Sequence, residues 1–290
     1  MVLHRPVELA ALIRTYPTVI HSILEDSDMH KWSQLNTERR GLLEEVARAW
    51  EALLGDTKVK ELAYHNFLED HAGLFFSNPF GTYIVISNLE MGADLKPDLV
   101  IVSDNQSYGF KYELIELEYP HDRIFTSKGR QSAKLTHALK QMEDWQLWLQ
   151  KHPDSAKELL PSKAHSLWGD PQLSYTVVIG RRDEMLRNNE IRIQKSSKYG
   201  CSIRSFDHIT DRLRRNLFMD IGLFEHGQHL PADEMNRISS PFFRAMSSAA
   251  WKRYRTSAEF SPAHSLGFSA PSLLESRPEN TTLFDRFRQF

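Results

Sequence analysis

The chain has 290 residues, 41% hydrophobic and 26% charged, enough to bury a core as one large domain or two modest ones. No apolar run approaches the ~18 residues that span a bilayer, the N-terminal stretch lacks the length and cleavage site of a signal peptide, and the single cysteine, Cys201, excludes an internal disulfide and zinc fingers or ribbons. The formal net charge of −2 excludes a uniformly basic chain, and a cytoplasmic protein with no membrane partner is expected.

Residues 7–60 read as helical. Glu38–Leu54 sets Leu42, Leu43, Val46, Trp50, Leu53 and Leu54 on one stripe at helical spacing, a packing face. Lys60–Phe76 is a second helical segment, with Leu62, Phe67 and Leu68 apolar. Thr82–Ser87 reads as a strand from its β-branched content. Asp98–Ser103 and Lys111–Glu118 follow as strands, joined by the turn chemistry of Asp104-Asn105-Gln106-Ser107. Ser132–Gln150 is a strong amphipathic helix, and Pro153 and Pro161 punctuate a loop after it. Leu173–Ile179 is a buried strand and Ile203–Phe206 a short final one. Asp207 is expected to cap a helix, His208–Phe218. This order predicts a mixed α/β core, a central sheet flanked by helices. From residue 239 Ser and Pro recur and periodicity fades, with a short amphipathic helix at Asn280–Phe290. The expected organisation is a helical N-terminal region (1–60), a core domain (61–220) and an irregular C-terminal extension (221–290).

The chemistry concentrates in residues 97–120. Residues two apart in a strand share a face, so Glu116 and Glu118 project together with Leu114, while Ile115 and Leu117 face the other way. If the strands on either side of the turn pair, Asp98 reaches the same region. Three carboxylates beside apolar strands repel and are poorly solvated, so they need a cation. Hard oxygen donors suit Mg²⁺ or Mn²⁺, and metal-assisted phosphodiester hydrolysis is the chemistry such a centre performs. Charge along the chain fits this. Residues 61–180 hold 10 Lys and Arg against 16 Asp and Glu, while residues 181–215 hold 10 against 5 and residues 236–290 hold 8 against 4. An acidic centre bordered by basic segments suits a nuclease, since carboxylates hold metal and cations hold phosphates. Ordinary fluctuation along a mixed surface is the alternative.

Pro97-Asp98 followed by Glu116-x-Glu118 resembles the PD-(D/E)XK nuclease signature with its final Lys replaced by Glu. Ile115–Pro120 (IELEYP) and the segment FTSKGRQSAKLTHALKQMEDWQLWL (125–149) resemble the nuclease domain of the Shedu anti-phage defence family, over roughly residues 61–218. The resemblance implies a restriction-endonuclease-like core acting on DNA. It makes Asp98 and Glu116 the metal ligands, often helped by the backbone carbonyl of Leu117, with Glu69 a further ligand from the preceding helix and Asp70 its rival. Glu118 would ligate a second metal or accept the proton of the attacking water. Gln141, one helical turn from Trp145, would reach DNA or orient the metal site. Lys128, Arg130 and Lys134 would contact nucleic acid, and Lys134 is placed to supply the charge missing at Glu118.

Other residues carry less. Arg181, Arg182, Arg212, Arg214 and Arg215 are candidate phosphate contacts. Trp251–Arg255 is either a stacking surface for nucleic acid or an aromatic pair packed under its own cations. His226 and His229 have metal-like spacing without a third ligand nearby, and His137 reads as polar packing. No glycine-rich phosphate loop is present, so no nucleotide cofactor is expected. A homo-oligomer is expected, and the alternative function is a catalytically inactive binding or assembly module that keeps the nuclease fold.

Overall fold

A computed structural model describes residues 40–77, 82–105, 109–164, 167–218, 240–256 and 270–288. The sequence reading of 7–39 and the histidines at 226 and 229 lie outside the described residues.

In chain order the elements are α1 (Arg40–Gly55), α2 (Glu61–Asp70), α3 (Ala72–Phe76), β1 (Thr82–Ser87), β2 (Leu99–Asp104), β3 (Phe110–Leu117), α4 (Ala133–Lys151), α5 (Pro153–Leu159), β4 (Ser162–Ala164), β5 (Leu167–Gly169), β6 (Gln172–Val178), α6 (Arg182–Arg187), α7 (Asn189–Tyr199), β7 (Ser202–Arg204), α8 (Phe206–Phe218), β8 (Met246–Ser247), α9 (Ser248–Arg255), α10 (Ala270–Ser276) and α11 (Thr281–Arg288). Among the described residues six strands form one mixed sheet in the order β7-β6-β3-β2-β1-β8. The pairs β1–β2 and β2–β3 are antiparallel, while β3–β6, β6–β7 and β1–β8 are parallel. The expected mixed α/β core is present.

Strand alternation sorts side chains onto two faces. Ile84, Ile86, Val100, Val102, Tyr112 and Leu114 pack with α4, α9 and α10. Val85, Leu99, Ile101, Ile115 and Leu117 pack with α1, α2, α3 and α8. The α1 stripe docks on this second face through Leu43, Val46, Trp50 and Leu54, all buried. Trp50 is fully enclosed and donates from Nε1 to Thr210 Oγ1 at 3.0 Å, and Phe75 meets its ring edge-on. Burial of each such side chain contributes about 1.5–3 kcal/mol.

Several boundaries differ from the sequence reading. The helix expected over Lys60–Phe76 breaks at His71, which separates α2 from α3. Pro153 begins a helix rather than a loop, because a proline at the first helical position forfeits only an N–H that would have no intrahelical partner. Asp207 lies inside α8, and its carboxylate is taken by Arg181 Nη2 at 2.9 Å and by the backbone N–H of Arg182 at 2.7 Å. The described part of the C-terminal extension is not irregular. It adds strand β8 to the sheet edge and buries Trp251, Tyr254 and Leu273 against one face.

Candidate active site

The centre forms where β2 begins and β3 ends. Leu99 pairs with Ile115 in the antiparallel ladder, a register that brings Asp98 to the level of Glu116. Asp98 Oδ2 accepts from the Leu117 backbone N–H at 2.7 Å. Glu116 shares the face of Tyr112 and Leu114, as period-two alternation requires. Glu118 follows on the same side just beyond the strand, its N–H donating to Val178 O at 2.9 Å. Both glutamates are buried, at 7% and 4% exposure.

Burial without full pairing disfavours the charged form. The Glu116 carboxyl is pushed up to about 9, chiefly by loss of solvent, then by the neighbouring charges of Asp98 and Glu118, while a hydrogen bond with Gln141 works the other way. Burial likewise raises Asp98, opposed by the Leu117 N–H. Burial raises Glu118 too, opposed by Lys134. Glu116 Oε2 and Gln141 Oε1 are buried without a hydrogen-bond partner.

The helices place the remaining groups. Ser132 caps α4 by accepting from the Leu135 N–H at 3.1 Å. This cap sets Lys134 in the first turn, its Nζ 3.3 Å from Glu118 Oε2 and 3.9 Å from Glu61 Oε2. His137 Nδ1 lies 3.8 Å from Glu118 Oε1. Gln141 stands one turn further along the same helix, and Trp145 beyond it is core, 1% exposed. Lys128 and Arg130 are exposed on a turn that Gly129 closes with φ +69°, and Lys134 rather than either of them reaches the carboxylates.

Glu69, on α2, joins the centre through intermediaries. Its Oε1 lies 3.2 Å from His65 Nδ1 and accepts from Asn88 Nδ2 at 3.2 Å. Asn88 adopts left-handed backbone (φ 51°), a region asparagine tolerates better than most residues. His65 Nε2 lies 3.7 Å from Asp98 Oδ1 and has no hydrogen-bond partner. Glu61, His65, Glu69, Asn88 and Asp98 line one cavity of about 240 Å³. Asp70 faces elsewhere and pairs with Arg244 at 2.5 Å. The sequence reading did not single out His65. Its i,i+4 spacing to Glu69 was the available signal, but its proximity to Asp98 is tertiary.

Among the described residues, no three His, Cys, Asp or Glu side chains gather closely enough to hold a metal as they stand. The donors that converge are the carboxylates of Asp98 and Glu116 and the amide of Gln141. Unpartnered buried oxygens on Glu116 and Gln141 are hard donors whose chemistry fits Mg²⁺ or Mn²⁺.

Most of the arginines offered as phosphate contacts are engaged in the fold. Arg181 grips Asp207 and Leu54 O, Arg182 pairs with Asp211, Arg212 with Glu113 and Arg214 with Glu51. Trp251 and Tyr254 are buried, so that cluster is a packed aromatic pair with Lys252 and Arg253 on its outer side. Cys201 is a buried free thiol that burial pushes up to about 11. Among the described residues no helix is long and apolar enough to cross a membrane.

A family model described as Shedu protein SduA, C-terminal, matches residues 58–210, slightly more than half the chain. No curated protein matches the chain significantly.

Proposed function

This chain belongs to the Shedu family, and on that premise we propose that it is a divalent-metal-dependent DNA endonuclease of the PD-(D/E)XK type that acts in defence against phage. The observation that carries this reading is Glu116, a carboxylate buried at the end of a central strand between Asp98 and Glu118, with one oxygen unpartnered. Asp98 and Glu116 would hold Mg²⁺ or Mn²⁺, with Glu69 behind them beyond His65 and Asn88. Bound there, the ion supplies Lewis-acid chemistry at a phosphodiester and relieves the crowding of carboxylates.

The chain's own side chains do the rest. Gln141 steadies Glu116 through its amide. Glu118 accepts a proton from the attacking water, a role for which a carboxyl raised above its ordinary range is suited. Lys134 brings positive charge to Glu118 from the first turn of α4, where the signature places a lysine on the strand itself. Lys128 and Arg130, on the exposed turn leading to α4, hold the nucleic-acid backbone without reading its sequence.

The test is conversion of supercoiled plasmid to nicked or linear forms by the purified chain in Mg²⁺ or Mn²⁺. Wild type cleaves, Asp98→Asn and Glu116→Gln abolish cleavage, and Lys134→Ala slows it by on the order of 10²-fold. Full activity in both carboxylate variants would overturn the reading. Glu118 itself favours a second reading, a binding module that has lost catalysis at one position. That reading requires an inactive wild type that gains activity in Glu118→Lys.

A further inference from the structure

The connection from β6 to β7 makes a second charged site. It carries α6 and α7, and between them, α8 and the end of β7 lies a cavity of about 190 Å³. Its lining includes Arg182, Arg192, Arg204 and His208, with Asp211 the one acidic side chain among the lining residues. Asp211 is already bound to Arg182. Arg192 reaches inward, its Nη1 donating to Ile203 O at 3.2 Å and its Nη2 to Asn189 Oδ1 at 2.7 Å. Burial first, and then the charge of Arg204, holds Arg192 below the usual arginine range. Burial and the charges of Arg212 and Arg204 likewise depress His208. Cationic side chains gathered around a partly buried space are stabilised by an incoming anion.

The register of the sheet fixes where this cavity lies. Leu117 pairs with Val178, and Val178 pairs with Arg204. The three residues form one row across the parallel strands, so the backbone of Arg204 is about 10 Å from that of Leu117 at ordinary strand spacing. Leu117 sits between Glu116 and Glu118. Arg204 therefore lies at the same end of the sheet as the carboxylates, two strands away, in the row of Leu117 and on the face that Leu117 shares. Glu184 braces the connection against the turn that leads to Lys128 and Arg130, its Oε1 accepting from the backbone N–H groups of Ile124 at 2.8 Å and Phe125 at 3.1 Å. Leu186 and Ile193, 66% and 52% exposed, stand on this same connection.

We infer that the cavity lined by Arg192, Arg204 and His208 is a backbone-phosphate subsite, which seats a phosphate of the nucleic-acid strand a short distance from the one cleaved at Glu116. The inference rests on the reading of the chain as a nuclease and extends it by naming a second contact that sets the path of the strand. Guanidinium groups match phosphate geometry, and a contact of this kind adds affinity without sequence preference.

The test is fluorescence anisotropy of a labelled DNA duplex with the full chain in EDTA, where binding is read without cleavage. Arg204→Glu and the milder Arg204→Gln are compared with Arg253→Glu, an exposed charge reversal on α9, which follows β8 at the edge of the sheet opposite β7. The expected result is a dissociation constant raised at least tenfold by Arg204→Glu and less by Arg204→Gln, with a salt dependence shallower by about one phosphate contact. Arg253→Glu should leave affinity within about twofold. Equal losses in Arg204→Glu and Arg253→Glu would overturn the subsite while leaving the nuclease reading intact. Failure of the wild type to bind the duplex in EDTA would also overturn the subsite, whereas the nuclease reading stands or falls with plasmid cleavage in Mg²⁺ or Mn²⁺. Melting curves that match wild type show that the Arg204 variants are folded, and Arg204→Gln keeps the comparison if Arg204→Glu is not.

Discussion

At the scale of single residues, the centre is defined by carboxylates that are costly to bury. Glu116 has a folded value of about 9 against an ordinary value near 4.5. The folded protein therefore keeps a proton that the unfolded chain releases. The resulting stability is fully present below the ordinary value and is lost as pH rises toward 9. Asp98 and Glu118 are raised as well and act with the same sign. Metal-free protein should melt at progressively lower temperature from pH 5 to pH 9, and Glu116→Gln should flatten much of that slope in a melting series in EDTA. His65 makes a separate prediction. It stands between Glu69 and Asp98, so on the proposed reading it positions the ligand Asp98. His65→Ala should weaken Mn²⁺ binding by about 10–100-fold, as loss of an outer-shell partner does, which calorimetric titration would read. The common face of Glu116 and Glu118 was legible in the sequence because alternation in a strand is a local property. Lys134 was legible in part, since Ser132 marks the helix start that sets its position. His65 was not, because what matters about it is a distance across 33 positions of sequence.

At the scale of elements, legibility followed periodicity. α1, β1, β3, α4 and β6 each carry an apolar pattern matched to their geometry, and all were found within a few residues. α6 and α7 were missed for a physical reason. Among their described residues only Met185 is buried, so no apolar stripe announces them. The β4–β5 hairpin is too short for alternation to be visible. Asp207 has the side chain of a cap but is held by Arg181 and Arg182, a contact that competes with capping. α3 illustrates tight fit between elements. Gly73 donates its N–H to Phe243 O at 3.0 Å, and a Cβ placed there would lie 2.0 Å from Pro241 O. Backbone cannot move aside as a flexible side chain does. Gly73→Ala should destabilise by about 1–3 kcal/mol or more through overpacking, read as a lower urea midpoint with an unchanged slope.

At the scale of the whole molecule, the described C-terminal segments belong to the same core as the site. β8 pairs with β1, Ala245 N donates to Glu69 O at 2.8 Å, and Asn280 Nδ2 donates to Asp70 O at 2.8 Å. The helix that presents His65 and Glu69 is thus clamped by residues 176 and 210 positions away. A strand of two residues gives no sequence signal, and its pairing depends on a surface assembled from distant segments. The two sheet faces share the same division of labour: one carries α4 with Lys134 and Gln141, the other α2 with His65 and Glu69. Asp98 and Glu116 lie at the sheet end where these two helices converge. The central claim is that this meeting point is a metal centre. It is tested most directly by anomalous scattering from crystals of the protein grown or soaked with Mn²⁺. The account predicts a peak within bonding distance of carboxylate oxygens of both Asp98 and Glu116, absent in Glu116→Gln. A well-ordered crystal of metal-exposed wild type with no peak at these two carboxylates would contradict it.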